Sequence, residues 1–121
     1  MYLAPLFQLT AGTLLDKYEN IKRGLLVGIL ERIVDEKLIA IVRDVEPEKI
    51  LPTAQAIIRG GIHALEIPFD YQTSNGIEKT LESISLLHKY SELDILLGAG
   101  TVLTVREVEK AVDAGAEYII S

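Results

Sequence analysis

The sequence predicts a parallel α/β fold, either a (β/α)-barrel or a doubly wound sheet. Three observations predict it. Short apolar runs recur along the 121 residues, helical patterns separate them, and glycines stand where the helices would end. Short strands buried on both faces and joined through helices imply βαβ units and a parallel sheet.

Leu38–Val42 (L-I-A-I-V) is a continuous apolar run, the pattern of a strand covered on both sides. Ala64–Ile67, Ile95–Leu97 and Tyr118–Ile120 are three further strand candidates. Helices are expected over Glu48–Arg59, Ile77–Tyr90 and Val105–Ala114. Gly60-Gly61 and Gly115 suit helix C-termini. Thr104 followed by Glu107 has the spacing of a capping box, and Asn75-Gly76 is a turn signal before the second helix. Pro47 suits a helix start. Pro52 does not suit an interior, so that helix is expected to start later or to kink.

A weak repeat supports the same architecture. Ile57–Leu65 (I-I-R-G-G-I-H-A-L) resembles Ala111–Ile119 (A-V-D-A-G-A-E-Y-I), each a helix end, a glycine cap and a strand. Residues 24–36 form an amphipathic pattern with Leu25, Leu26, Ile29, Leu30 and Ile33 on one face. Residues 1–23 stand apart as an extension of unknown role, with a possible helix around Leu14–Lys22.

Composition narrows the function classes. Nearly half the residues (49%) are hydrophobic, enough for a packed core. The net charge of −6 comes with no basic run, which argues against a nucleic-acid partner and against an anionic membrane surface. There is no cysteine, so disulfides, thiolate metal sites and a cysteine nucleophile are excluded. His63 and His88 are far apart and form no metal-ligand cluster. Met1–Leu15 lacks the basic start of a signal peptide, and no run reaches the roughly 18 apolar residues of a membrane span. A cytoplasmic protein is the expectation.

In parallel α/β folds, chemistry gathers at the C-terminal ends of the strands. Those ends carry Arg43 and Asp44, then Glu66 with Phe69 and Asp70, then Gly98-Ala99-Gly100-Thr101, and finally Ser121. Glu66 interrupts an apolar strand (L-E-I-P-F), and a buried carboxylate has the raised pKa a general acid/base needs; the bland alternative is an ion pair with Arg43. Arg43 has the planar fork that grips a carboxylate or phosphate. Gly98 and Gly100 permit close approach of a ligand, with Thr101 offering a hydroxyl and an N–H, or simply make a tight turn. The spacing fits neither a dinucleotide fingerprint nor a P-loop. Tyr71, Tyr90 and Tyr118 read as packing residues, with Tyr71 near the mouth.

In order, I-L-E-R-I, L-I-A-I-V-R, G-G-I-H-A-L-E-I, L-L-G-A-G-T-V-L-T and A-V-D-A-G-A-E-Y-I-I-S resemble the 2-keto-3-deoxy-6-phosphogluconate / 4-hydroxy-2-oxoglutarate aldolase family over residues 28–121. The resemblance implies a (β/α)8 TIM barrel, of which residues 24–121 would be about the first four βα units. It implies a homo-oligomer, usually a trimer, without metal or organic cofactor. It also implies a class I aldolase: a lysine forms a Schiff base with a 2-keto acid, and cleavage releases pyruvate plus glyceraldehyde 3-phosphate or glyoxylate.

By the same resemblance, Glu66 falls on the catalytic glutamate that shuttles protons. Thr101, in G-A-G-T, falls on the threonine that holds the pyruvate carboxylate, with Gly98 and Gly100 beside it, and Arg43 matches an arginine able to hold the same carboxylate. Many members carry an arginine four residues after the glutamate; here that residue is Asp70. The family's Schiff-base lysine lies on the sixth strand, whereas the fourth strand ends this sequence. Lys37, Lys49, Lys79, Lys89 and Lys110 stand at positions unsuited to its role, and Lys17 and Lys22 belong to the unmatched extension. The expectation is a chain inactive alone. The alternative is a non-catalytic half barrel whose first and last strands are open edges and which self-associates or takes a partner chain.

Overall fold

A computed structural model describes residues 2–3, 27–90 and 92–121. The expected helix around Leu14–Lys22, the N-terminal extension beyond Tyr2–Leu3, and Leu25 and Leu26 of the first amphipathic pattern lie outside the described residues. The elements run β1 (Tyr2–Leu3), α1 (described over 27–36), β2 (Ala40–Ile41), α2 (Pro47–Arg59) and β3 (Ala64–Pro68). They continue with α3 (Gly76–Lys89), β4 (Leu96–Gly100), α4 (Val105–Ala114) and β5 (Tyr118–Ile120).

The sheet order is β1-β5-β4-β3-β2. The four strands β2 to β5 are parallel and neighbour one another in chain order. Residues of α2, α3 and α4 pack with one face of the sheet in a single apolar cluster. A doubly wound sheet reverses its strand order and carries helices on both faces. Monotonic order with the crossover helices on one face is the winding of a (β/α)-barrel. The sequence left those two architectures open, and the sheet order decides between them.

Two clusters form the core. On the helix-covered face, Leu65, Ile67, Leu97, Ala99 and Ile119 of the strands pack with Ile50 and Ala54 of α2, Ile84 and Leu87 of α3, and Ala111 of α4. On the other face, Ile29 of α1 meets Ala64, Leu96 and Tyr118, with Ile33 and Ile39 alongside. Period-two alternation splits β3, β4 and β5 between the two clusters.

The caps follow from local chemistry. Thr104 and Glu107 make the expected capping box at α4, and Gly115 ends that helix at φ 112°, a region that only glycine enters freely. The helix over Pro47–Arg59 starts earlier than expected, with Pro47 in its first turn, where its missing N–H is not needed. It runs on through Pro52. β4 is also longer than expected: Gly98 and Gly100 lie inside the strand rather than in the turn after it. The expected open edge at the last strand is occupied, because β5 pairs antiparallel with Tyr2–Leu3. No described helix is long and apolar enough to cross a membrane.

Candidate active site

The parallel strands share one direction, so their C-terminal ends open on one side of the sheet. Register aligns Ile41, Glu66, Gly98 and Tyr118 across the four strands. All four therefore project from the same face, the one turned away from α2, α3 and α4.

Glu66 is 7% exposed. Its carboxylate lies over Gly100 of β4, where a Cβ would collide with it. Burial pushes the Glu66 carboxyl above the ordinary carboxylate range, and the positive charge of Arg43 pulls it partly back. Arg43 itself is exposed and, among the described residues, makes no ion pair with Glu66. The bland alternative of a closed ion pair is therefore not what forms.

The second glycine has a similar purpose. A Cβ at Gly98 would collide with the ring of Tyr118. That ring crosses β4 so that its hydroxyl donates to the Leu65 carbonyl of β3 at 2.7 Å. Burial raises the Tyr118 phenol, and the charges of Glu66 and Glu117 add to the rise. Gly98 and Gly100 thus make room for two side chains from neighbouring strands, which is why alternate residues of β4 lack side chains. The signal in the sequence was their spacing of two, which places both on one face.

Thr101 follows at φ 54°, a left-handed conformation that a β-branched residue adopts only at a cost of about 1–3 kcal/mol. Asp44, just past β2, is held likewise at φ 57°. Strained residues at two strand ends mark this side of the sheet as over-determined by its surroundings. The Thr101 carbonyl accepts a hydrogen bond from the Tyr71 hydroxyl at 3.0 Å. The same hydroxyl lies 3.0 Å from Glu107 Oε2. Glu107 in turn accepts from the N–H groups of Leu103 at 3.0 Å and Thr104 at 2.9 Å. Burial works to raise the Glu107 carboxyl, but the hydrogen bonds from Leu103, Tyr71 and Thr104 outweigh it and hold it below the usual range. Sequence reasoning placed Tyr71 near the mouth and Glu107 in a cap, and missed that the two meet.

A cleft of about 370 Å³ opens beside these ends, and Arg43, Asp44, Asp70, Tyr71, Lys79 and Thr101 contribute to its walls. Glu66, Gly98 and Gly100 are not among its lining residues. Asp70 is turned into its own loop, accepting from Gln72 N–H and Thr73 Oγ1, each at 2.7 Å. The Thr73 bond, followed by that of Gln72, keeps its carboxyl ionised to lower pH than usual. Lys79 pairs with Glu46 at 2.9 Å. The hydrogen bond that Lys79 donates to Glu46 raises the Lys79 pKa, so its ammonium is stabilised. A Schiff-base lysine needs the opposite, a depressed pKa and a free amine.

The family model described as KDPG and KHG aldolase matches residues 29–121. A 2-dehydro-3-deoxy-phosphogluconate aldolase of Treponema pallidum is 34% identical over 99 residues, covering 79% of this chain and 42% of the relative. A probable 2-dehydro-3-deoxy-6-phosphogalactonate aldolase of Rhizobium meliloti is 34% identical over 88 residues, covering 73% and 39%. Among solved structures, the KDPG aldolase of Legionella pneumophila, with pyruvate captured as a covalent carbinolamine, superposes with a TM-score of 0.53. It is 35% identical, with 69% of this chain and 37% of that one covered. The chain spans about two fifths of the length of the curated relatives it matches.

Proposed function

This chain belongs to the KDPG and KHG aldolase family, and from that premise we propose that its strand ends form the carboxylate-binding and proton-transfer part of a class I aldolase site. The reaction is cleavage of a 2-keto acid to pyruvate plus an aldehyde, either glyceraldehyde 3-phosphate or glyoxylate. Glu66 carries the reading. A carboxyl desolvated over a glycine, with its pKa raised, holds a proton nearer neutrality and can both give and take it. That serves dehydration of a carbinolamine and proton transfer during carbon–carbon cleavage.

Thr101, directly after Gly100, contributes its hydroxyl to the substrate carboxylate, with Gly98 and Gly100 keeping the strand surface low. Arg43 supplies the positive charge. Asp70, where many members have an arginine, is engaged in its own loop and does not take that role; Arg43 takes it instead. The keto acid proposed is the one the Legionella enzyme holds, pyruvate.

The nucleophile comes from outside these residues. Lys79 lines the cleft but is held as an ammonium by Glu46, and among the described residues no other lysine stands at the C-terminal end of a strand. The isolated chain should therefore bind pyruvate and fail to cleave. Titrating pyruvate into the labelled chain should shift the amides of Glu66 and Thr101. Borohydride treatment with pyruvate should leave the protein mass unchanged. A reduced pyruvyl adduct on any lysine would sink the claim that the nucleophile lies elsewhere, and silent amides at Glu66 and Thr101 would sink the site.

A second reading is a half barrel that assembles with another copy or a partner chain. Ile41, 58% exposed on the same face as Glu66, and Leu38, 61% exposed, favour it. A clean monomer on light scattering counts against this reading; a larger, discrete mass supports it. A homotrimer is the state proposed for a whole barrel.

A further inference from the structure

Thr101 is strained, and something must hold it. The turn it opens is pinned from three directions. Val102 N–H reaches the Ile120 carbonyl of β5 at 3.5 Å, a long contact. Glu107 collects the N–H groups of Leu103 and Thr104 from within α4's own cap. Only the Thr101 carbonyl itself is addressed from another loop, by the Tyr71 hydroxyl at 3.0 Å. That hydroxyl also reaches Glu107 Oε2 at 3.0 Å, so one phenol proton serves two acceptors on either side of the turn. Tyr71 stands five residues after Glu66 on the adjoining loop and is 45% exposed, with its ring at the cleft wall. A half-exposed tyrosine contributes little to the core, and its hydrogen bonds converge on a turn whose first residue is held in the left-handed region.

We propose that Tyr71 is a positioning residue for substrate. It holds the Thr101 peptide in the left-handed turn and so aims the Thr101 hydroxyl at the carboxylate of the 2-keto acid. This rests on Thr101 being the carboxylate contact. Without the phenol hydroxyl, Thr101 relaxes toward ordinary φ and the hydroxyl swings away, while the caps of α4 keep the helix in place.

The test compares Tyr71→Phe with Thr104→Ala in this chain, using pyruvate as the probe. Three readouts are taken: the Thr101 HN–Hα coupling, which reports φ; the pyruvate dissociation constant from amide shifts; and the thermal midpoint. Tyr71→Phe should change the Thr101 coupling and weaken pyruvate about tenfold, the size of one lost hydrogen bond to a strained group. It should leave the midpoint near that of the parent. Thr104→Ala removes the helix cap, so it should lower the midpoint and leave pyruvate affinity alone. If the parent binds pyruvate and Tyr71→Phe binds it equally with an unchanged coupling, the positioning role is wrong and the carboxylate reading stands. If Tyr71→Phe lowers the midpoint as Thr104→Ala does and leaves the Thr101 coupling and the pyruvate affinity unchanged, Tyr71 is structural only. If the parent shows no pyruvate shift at Thr101, the carboxylate reading falls and takes the substrate role of Tyr71 with it.

Discussion

The two faces of this sheet are built from the same strands and obey different rules. Toward α2, α3 and α4, β3 presents Leu65 and Ile67, and each meets aliphatic side chains from the helices. Toward the other side, the same strand presents Ala64 and Glu66, β4 presents Gly98 and Gly100, and β5 presents Tyr118. The helix face maximises apolar contact. The opposite face deletes side chains at alternate positions and fills the room with a carboxylate and a phenol. One residue of register separates the two, so stability and chemistry are written into the same five residues, Ala64–Pro68, with a period of two.

Breaking the helix face should therefore have the larger effect on stability. Leu65 is fully buried between the sheet and the helices. Leu65→Ala should lower unfolding free energy by about 2–5 kcal/mol, through lost transfer energy and the cavity left behind. Denaturant unfolding measures it, and a loss under about 1 kcal/mol would mean that this face is not the cooperative core. On the opposite face, Tyr118→Phe keeps the ring over Gly98 and removes only the hydroxyl that donates to Leu65 O. The expected loss is about 1 kcal/mol, the size of one buried hydrogen bond. Were this loss to match that of Leu65→Ala, the two faces would not differ in kind.

The helix face was legible in the sequence, because it rests on repeated pattern. Apolar runs marked the strands, Thr104 and Glu107 marked the start of α4, and Gly115 marked its end. Glu66 was legible for the opposite reason, as a charge breaking an apolar strand. What could not be read was cross-strand partnership. Gly98 and Gly100 were readable as residues that admit a ligand, but not as residues that also make room for Tyr118 and Glu66, which lie 20 and 34 residues away in sequence. Tyr71 and Glu107 are 36 residues apart, and only the pairing of β3 with β4 brings their loops together. Pro52 misled about where the helix starts, for a local reason: a helix already closed by its first turns, with Ile50 and Ala54 buried, continues past one missing N–H because packing outweighs the lost bond. The barrel winding itself needed the strand order, since alternating strands and helices are common to both parallel architectures.

The smallest expected effect is the one that sharpens the comparison most. A carboxyl whose pKa is raised by burial destabilises the fold in its charged form. Below the ordinary value of 4.5 both folded and unfolded chains hold the Glu66 proton, and burial costs nothing through ionisation. As pH rises through 4.5 the unfolded chain releases its proton first, so stability falls until the folded group also ionises, and the penalty is constant above that point. Glu66→Gln removes the ionisation and keeps the shape over Gly100. It should therefore match the parent below pH 4.5 and become modestly more stable than the parent toward neutral pH, while losing any proton-transfer role. Unfolding midpoints taken from pH 4 to 8 decide it. Parallel curves would place the carboxylate in solvent and leave the two faces differing only in size of side chain; a gap that opens with pH shows a site held charged at the expense of stability, as an acid/base group requires.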